Sequence, residues 1–438
     1  MRKSKAQVIA GFISKHFLPI GTIFIILFGI LFPAPAVYVQ AKVPVVKMCI
    51  ITLFFIIGTK FPLKEIRSAL HCYKETGLGV IAVLLLTPVI GTKLLMIPQF
   101  RELHPSRFYP NKTTFNSTRS ILELPDFGPE EFRIGLQIFC VSPCASAFPT
   151  VVITAANGDR ALTLLVAVIA TIISVFTVPI MATWLIPALR AASVSFLTIL
   201  PRVVLYILLP LIAGRLLRFI GLVKKFVVKV NTSLKFVTSG ALLVMFWVKI
   251  SQATAKGDLQ DFSPRMILAV TALGTAVITS FLVMTLVLSS LLRLSKKSIL
   301  AVTILSSARN SSIAIAVIEN LPVSVGDKDL MFFPIIFVYL AMIVIINSFG
   351  YFMTIKKEEN DIEQENEMPE SKPLDTVNHD KSDKHPKGKL ATLEQNKLSN
   401  SSDKLALLVN PLEHANNFAS HTKCKRDTLT NTQHLTVV

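Results

Sequence analysis

Two stretches of this chain set small polar residues inside runs that are otherwise apolar. One reads Gln137-Ile-Phe-Cys140-Val-Ser142-Pro143-Cys144-Ala-Ser146-Ala-Phe148-Pro149-Thr150, the other Leu305-Ser306-Ser307-Ala308-Arg309-Asn310-Ser311-Ser312-Ile313. Proline lacks an N–H, and Ser, Thr and Asn compete for backbone groups, so both stretches should break a helix. A break in apolar surroundings offers carbonyls, N–H groups and helix ends to an ion or solute. The residues expected at such a site are Pro143, Cys144, Ser146, Pro149 and Thr150 on the first stretch and Ser307, Arg309, Asn310, Ser311 and Ser312 on the second. This is binding chemistry, because no nucleophile, base and orienting group fall at a recognisable spacing. An enzyme is not expected, nor a cofactor. Prolines also kink membrane helices and serines glue them together; the matched placement of the two stretches favours a site over either bland role.

Arg309 carries the most information of any single residue. A guanidinium near mid-bilayer costs about 2.5 to 3.5 kcal/mol on insertion scales, so it needs a counterpart. No acid stands mid-span, Glu319 and Asp159 being the nearest. That leaves an anionic solute, a chloride or backbone carbonyls as partners, or a position near the cytoplasmic mouth from which the side chain snorkels to water.

The elements that must position these residues are membrane helices. Hydrophobic residues make up 52% of the 438 positions and charged residues 16%, a balance that makes the bilayer the solvent. Residues 1–355 hold 33 Lys+Arg against 13 Asp+Glu, and residues 356–438 hold 12 against 14. The basic excess therefore lies between apolar runs, where topology accounts for it better than nucleic acid would. About ten stretches reach the roughly 20 apolar residues that a span needs: Phe17 to Val37, Val43 to Phe61, Thr76 to Pro98, Phe132 to Ala155, Ala161 to Pro187, Ser195 to Leu217, Leu234 to Ile250, Pro264 to Leu292, Ser298 to Ile318 and Leu330 to Ile355. The two broken stretches are the fourth and ninth, five helices apart. That offset predicts two inverted five-helix repeats.

Loop charge sets an orientation. Lys60, Lys64, Arg67 and Lys74 after the second span, and Arg215, Arg218, Lys224, Lys225, Lys229 and Lys235 around the loop from six to seven, place those loops and both termini in the cytoplasm. The sequons at Asn111 and Asn116 then fall in an extracellular loop, 99–131, which fits a glycoprotein of the plasma membrane. Residues 1–16 read as a cytoplasmic N-terminus, 17–355 as the membrane domain, and 356–438 as a disordered cytoplasmic tail, since Glu358 to Glu370 holds seven acids and no base. Thr436-Val437-Val438 matches a ligand for a PDZ protein, and Leu407-Leu408 a dileucine signal. The five cysteines show no metal-binding spacing, so no metal centre is expected.

Cys140 to Pro179, with Pro143 and the Asn157-Gly158-Asp159 turn, resembles the bile acid:sodium symporter (BASS) family within the bile-arsenite-riboflavin transporter superfamily. Ala308-Arg309-Asn310-Ser311-Ser312-Ile313-Ala314, Pro210 to Arg218 and Gly58 to Leu63 carry the likeness on, over about residues 15 to 355. It implies an all-α fold of panel and core domains, with spans four and nine crossing beside sodium sites. The function it implies is secondary active transport of a small organic anion, with Na+ as coupling ion. The chain departs from sodium-coupled relatives in having Pro143-Cys144-Ala145 for a Pro-Gly-Gly, Pro149-Thr150 for a Ser-Asn, Leu305 for a glutamate, and Arg309 and Val83 for glutamines. Coupling to sodium and transport without it both stay open, with Arg309 as the fixed cation in the second case. Two further readings stand beside these: export of a metalloid through Cys144, as in arsenite exporters of the superfamily, and a receptor or scaffold that keeps the fold without transport.

Overall fold

A computed structural model describes residues 17–60, 73–100, 126–257 and 262–367. Asn111, Asn116, Leu407, Leu408, Thr436, Val437 and Val438 lie outside the described residues. The chain divides into two units, Met1–Ile355 and Lys356–Val438.

The described residues are α-helical, with no strand among them. In chain order the helices are α1 (Phe17–Leu31), α2 (Pro33–Lys42), α3 (Val45–Thr59), α4 (Tyr73–Leu94), α5 (Glu130–Val141), α6 (Ala147–Ala155), α7 (Arg160–Leu185) and α8 (Pro187–Ala191). They continue with α9 (Phe196–Leu217), α10 (Gly221–Lys229), α11 (Asn231–Ala255), α12 (Pro264–Leu291), α13 (Lys296–Ser307), α14 (Ser311–Glu319) and α15 (Lys328–Glu367). Six of them, α4, α7, α9, α11, α12 and the Lys328–Thr354 part of α15, are long and apolar enough to cross a membrane. Their outward faces are greasy, with Leu197, Leu268 and Val344 exposed. Many hydroxyls along them return to the preceding turn, as Thr171 does to Ala167 and Thr285 to Phe281, which pairs those groups without water. The protein is an all-α, multi-pass membrane protein.

Several expected spans change shape. The first, Phe17 to Val37, is two helices: α1 ends where Pro33 begins α2, and the pair is bent by 89° at Phe32. A residue before proline avoids the helical region and proline favours the first turn of a new helix, so the break is local chemistry. The fourth and ninth are also pairs, α5 with α6 and α13 with α14, of 12, 9, 12 and 9 residues. Each is too short to span alone. Helix α5 begins at Glu130, inside the stretch 99–131 expected as loop. Helix α15 runs to Glu367, past the boundary at Ile355; Lys, Glu and Gln sustain a helix well, and no proline follows until Pro369.

Close backbone approaches tie helices into two sets. A side chain at Gly58 would collide with the carbonyl of Leu211, and one at Gly214 with the carbonyl of Phe55, so α3 and α9 lie backbone to backbone. Helix α11 packs along α1 to α3, with Gly21 under Leu243 and Gly29 under Ile250. In the other set, α15 meets α5 where Gly135 faces the Met331 carbonyl, and α12 where Gly274 faces Val338. Helix α14 rests on α5 and α13 on α12.

Candidate functional site

The two broken helices meet at their breaks. Ala145 donates its N–H to the Ala308 carbonyl at 2.8 Å, and Asn310 donates to the Pro143 carbonyl at 2.9 Å. The result is an isolated antiparallel bridge between Cys144 and Arg309. Ser142 leaves the helix with extended backbone, as a residue before proline should. On the other strand Asn310 caps α14, its side-chain oxygen accepting from Ser312 and Ile313. Asn is a favoured cap because its short side chain reaches these otherwise unpaired N–H groups.

Four helix ends therefore converge, the C-termini of α5 and α13 and the N-termini of α6 and α14. Arg309 sits among them with no exposure to solvent. Its Nη1 lies 3.0 Å from the Ser142 carbonyl, 3.2 Å from Val83 and 3.3 Å from Cys140, and its Nη2 donates to Ser306. The Phe281 ring lies 5.5 Å below the guanidinium carbon, close enough for a cation–π contact. Nε has no hydrogen-bond partner. The counterparts of Arg309 are thus backbone carbonyls, and the snorkelling position is excluded.

Each carbonyl is free for a local reason. Those of Cys140 and Ser306 belong to the last turns of α5 and α13, where acceptors lack helical partners. Val83 lies in a π turn, Ala82–Leu86, within α4. The N–H of Thr87, its α-helical partner, is bonded to Ala82, and its π partner, Pro88, has no N–H. Its carbonyl is left to the Thr87 hydroxyl at 3.3 Å and to Arg309. A side chain at Gly91 would strike Phe281 and Cys140, so glycine there lets α4 close on the site.

The sequence-predicted residues divide into two groups. Pro143, Cys144, Arg309 and Asn310 form the crossing itself. The hydroxyls of Thr150 and Ser307 are turned back to Ser146 and Thr303, and Pro149, Ser311 and Ser312 are buried. Cys140 and Cys144 are free and buried, and among the described residues no three His, Cys, Asp or Glu side chains gather for a metal.

A second charged locus has no counterpart in the sequence reading. Lys249, 4% exposed, lies 2.7 Å from Glu319 and 2.9 Å from Asp329. Lys256 lies 2.5 Å from the other oxygen of Asp329 and 2.8 Å from Asp327. Outside the spans, burial works against the charge of Lys256, but hydrogen bonds to Asp327 and Asp329 outweigh it and hold its pKa above the ordinary lysine value. The available signal was a lysine at the end of an apolar run, with three acids gathered around the start of another.

The SBF-like CPA transporter family matches residues 16–352. Among curated proteins, one from Arabidopsis thaliana bearing the name "Probable sodium/metabolite cotransporter BASS4, chloroplastic" is 24% identical over 76% of this chain and 72% of its own. Its namesake in Oryza sativa subsp. indica is 22% identical over 78% and 76%. The match spans every helix of the crossing, and the chain belongs to the SBF-like CPA transporter family: it is a secondary transporter, not an enzyme.

Proposed function

We propose that the chain carries a small organic anion, with Arg309 as the resident cation of its crossing. The observation that carries this reading is the enclosure of the Arg309 guanidinium by carbonyls from α4, α5 and α13. A helix end bears about half a charge, positive at the N-terminus and negative at the C-terminus. Two ends of each sign cancel, so the guanidinium leaves the crossing net positive. An anion lodged between the N-termini of α6 and α14 meets that field without a partner cation.

The same enclosure argues against sodium at this point. A hard cation needs several oxygens, and those of Val83, Cys140, Ser142 and Ser306 already serve Arg309. A second positive charge beside the guanidinium would also be repelled. The relatives' names speak of sodium and a metabolite together; the second word fits this crossing better than the first.

The test is tracer uptake of an organic-anion panel into proteoliposomes with sodium or choline outside. Uptake within about twofold in the two salts, and at least about tenfold loss in Arg309→Gln, is the expected result. Steep sodium dependence that survives Arg309→Gln refutes it. Arsenite flux in the absence of any anion flux would put the Cys144 metalloid reading in its place.

We assign the chain to the plasma membrane with both termini cytoplasmic, on the loop charges and on the sequons at Asn111 and Asn116. Glycosidase sensitivity that vanishes in an Asn111→Gln/Asn116→Gln variant supports that side; glycosidase resistance of the parent chain in a eukaryotic host counts against it.

A further inference from the structure

We propose that Lys249 and Lys256 of the α11 segment, meeting Glu319, Asp327 and Asp329, form a latch that closes one end of the seam between the two helix sets. The proposal depends on the chain's being a transporter and not on the nature of the solute.

The cations and acids stand on opposite sides. Lys249 lies within α11 and Lys256 directly follows it, and α11 is bound to α1 through Gly21, Gly29 and a ring contact of Phe28 with Trp247 at 5.9 Å. Glu319 ends α14, and Asp329 begins α15, whose backbone presses on Gly135 of α5. Asp329 is the shared piece: Lys249 bonds one of its oxygens and Lys256 the other. The two lysines are seven residues apart, two helical turns, and so fall on one face of α11. One turn further along that helix, Phe246 meets Phe332 at 5.6 Å and Tyr339 at 5.8 Å across the same seam. The closure has an ionic layer at the end and an aromatic layer beneath it.

Charge makes a reversible closure. Parting an apolar seam exposes its surface to water at a cost that grows with the area, with nothing returned. Parting buried ions loses their attraction but restores hydration to each, and the two nearly balance. A seam built this way opens at small net cost and closes in one register. Solute entering between the sets from this end must part Lys249 from Asp329 and Glu319. Arg202 of α9, donating to the Asn320 carbonyl at 2.6 Å, adds a further bond across the seam, and Lys328, donating to the Glu319 carbonyl at 2.8 Å, holds the acidic side together.

The experiment places a cysteine at Phe246 in a background without other reactive cysteines. Its labelling by a membrane-impermeant sulfonated maleimide is followed in nanodiscs, where both faces meet the reagent. Asp329→Asn and Lys249→Met should each speed labelling about tenfold, and the double variant should be no faster than the quicker single one, because both break one contact. Lys256→Gln, at a more exposed position, should act in the same direction by a smaller factor and serves if the buried variants fail to fold. Labelling within twofold of the parent for every folded variant overturns the latch, as does a double variant whose acceleration is the product of the two single ones. Neither result bears on whether the solute is an anion.

Discussion

The Asn310 N–H donates to the Pro143 carbonyl at 2.9 Å, so the break in one membrane helix supplies the hydrogen-bond partner for the break in the other. An unwound segment deep in a membrane protein must settle its backbone groups within the protein. Here each segment settles the other's, and the guanidinium between them takes the carbonyls that remain.

Removing that guanidinium should therefore destabilise the fold as well as the function. Arg309→Met leaves the carbonyls of Val83, Cys140, Ser142 and Ser306 short of a donor, and a cost of about 3 to 5 kcal/mol is expected. Arg309→Lys keeps the charge but cannot reach four carbonyls at once, and should fall between. Thermal unfolding in detergent measures both, and an unchanged Tm for Arg309→Met would show that the carbonyls find other partners.

Pro88→Ala tests the origin of the Val83 acceptor. Alanine restores an N–H at position 88, which can take the Val83 carbonyl and draw it from Arg309. A loss of about 1 kcal/mol in stability with reduced solute uptake is expected. Stability at or above that of the parent would mean that Arg309 does not depend on this oxygen.

Gly135 is predicted to tolerate no side chain. A Cβ there runs into the Met331 carbonyl, which is backbone and cannot swing aside. Gly135→Val should cost about 3 kcal/mol or more by overpacking, visible as a lost monodisperse peak in size-exclusion chromatography. Gly77→Val, where a side chain meets open space, is the matched control and should keep the peak.

Lys60 follows α3, and burial together with repulsion from Lys235 lowers its pKa to about 8. Competitive acetylation read by mass spectrometry should show its reactivity rising with a midpoint near that value, well before ordinary lysines. Because the folded pKa is depressed, the penalty is in full force below about 8 and is relieved as pH rises from there towards 10.5. Lys235→Gln removes the second cause and should move the midpoint up; an unmoved midpoint assigns the whole shift to burial.

What the sequence disclosed follows from which interactions leave a mark on residue type. Pro143 and the run from Ser306 to Ser312 announce two breaks, and their spacing announces that they pair. Arg309 announces a buried charge. Its partners leave no mark, because a carbonyl belongs to every residue; Val83 is an ordinary valine whose oxygen is freed by a π turn and a proline five positions on. The grouping of Lys249, Glu319 and Asp329 went unread for another reason. Each looks like a residue at the end of a span, and only the packing of α11 against α14 and α15 brings them within reach of one another. The bend at Phe32 was written plainly in Pro33 and Pro35, yet a count of apolar residues passes straight over it.

The pairing of Arg309 with Ser142 also has a history within each molecule's making. The two lie 167 residues apart, so a ribosome completes the fourth span long before it reaches its partner. Until Arg309 arrives, the nascent membrane domain holds an unwound segment with bare carbonyls. Synthesis up to Leu305 and synthesis through Ile355 should thus yield products of very different fate, the shorter one a substrate for membrane quality control and the longer one, with α15 in place against α5 and α12, able to close its own core.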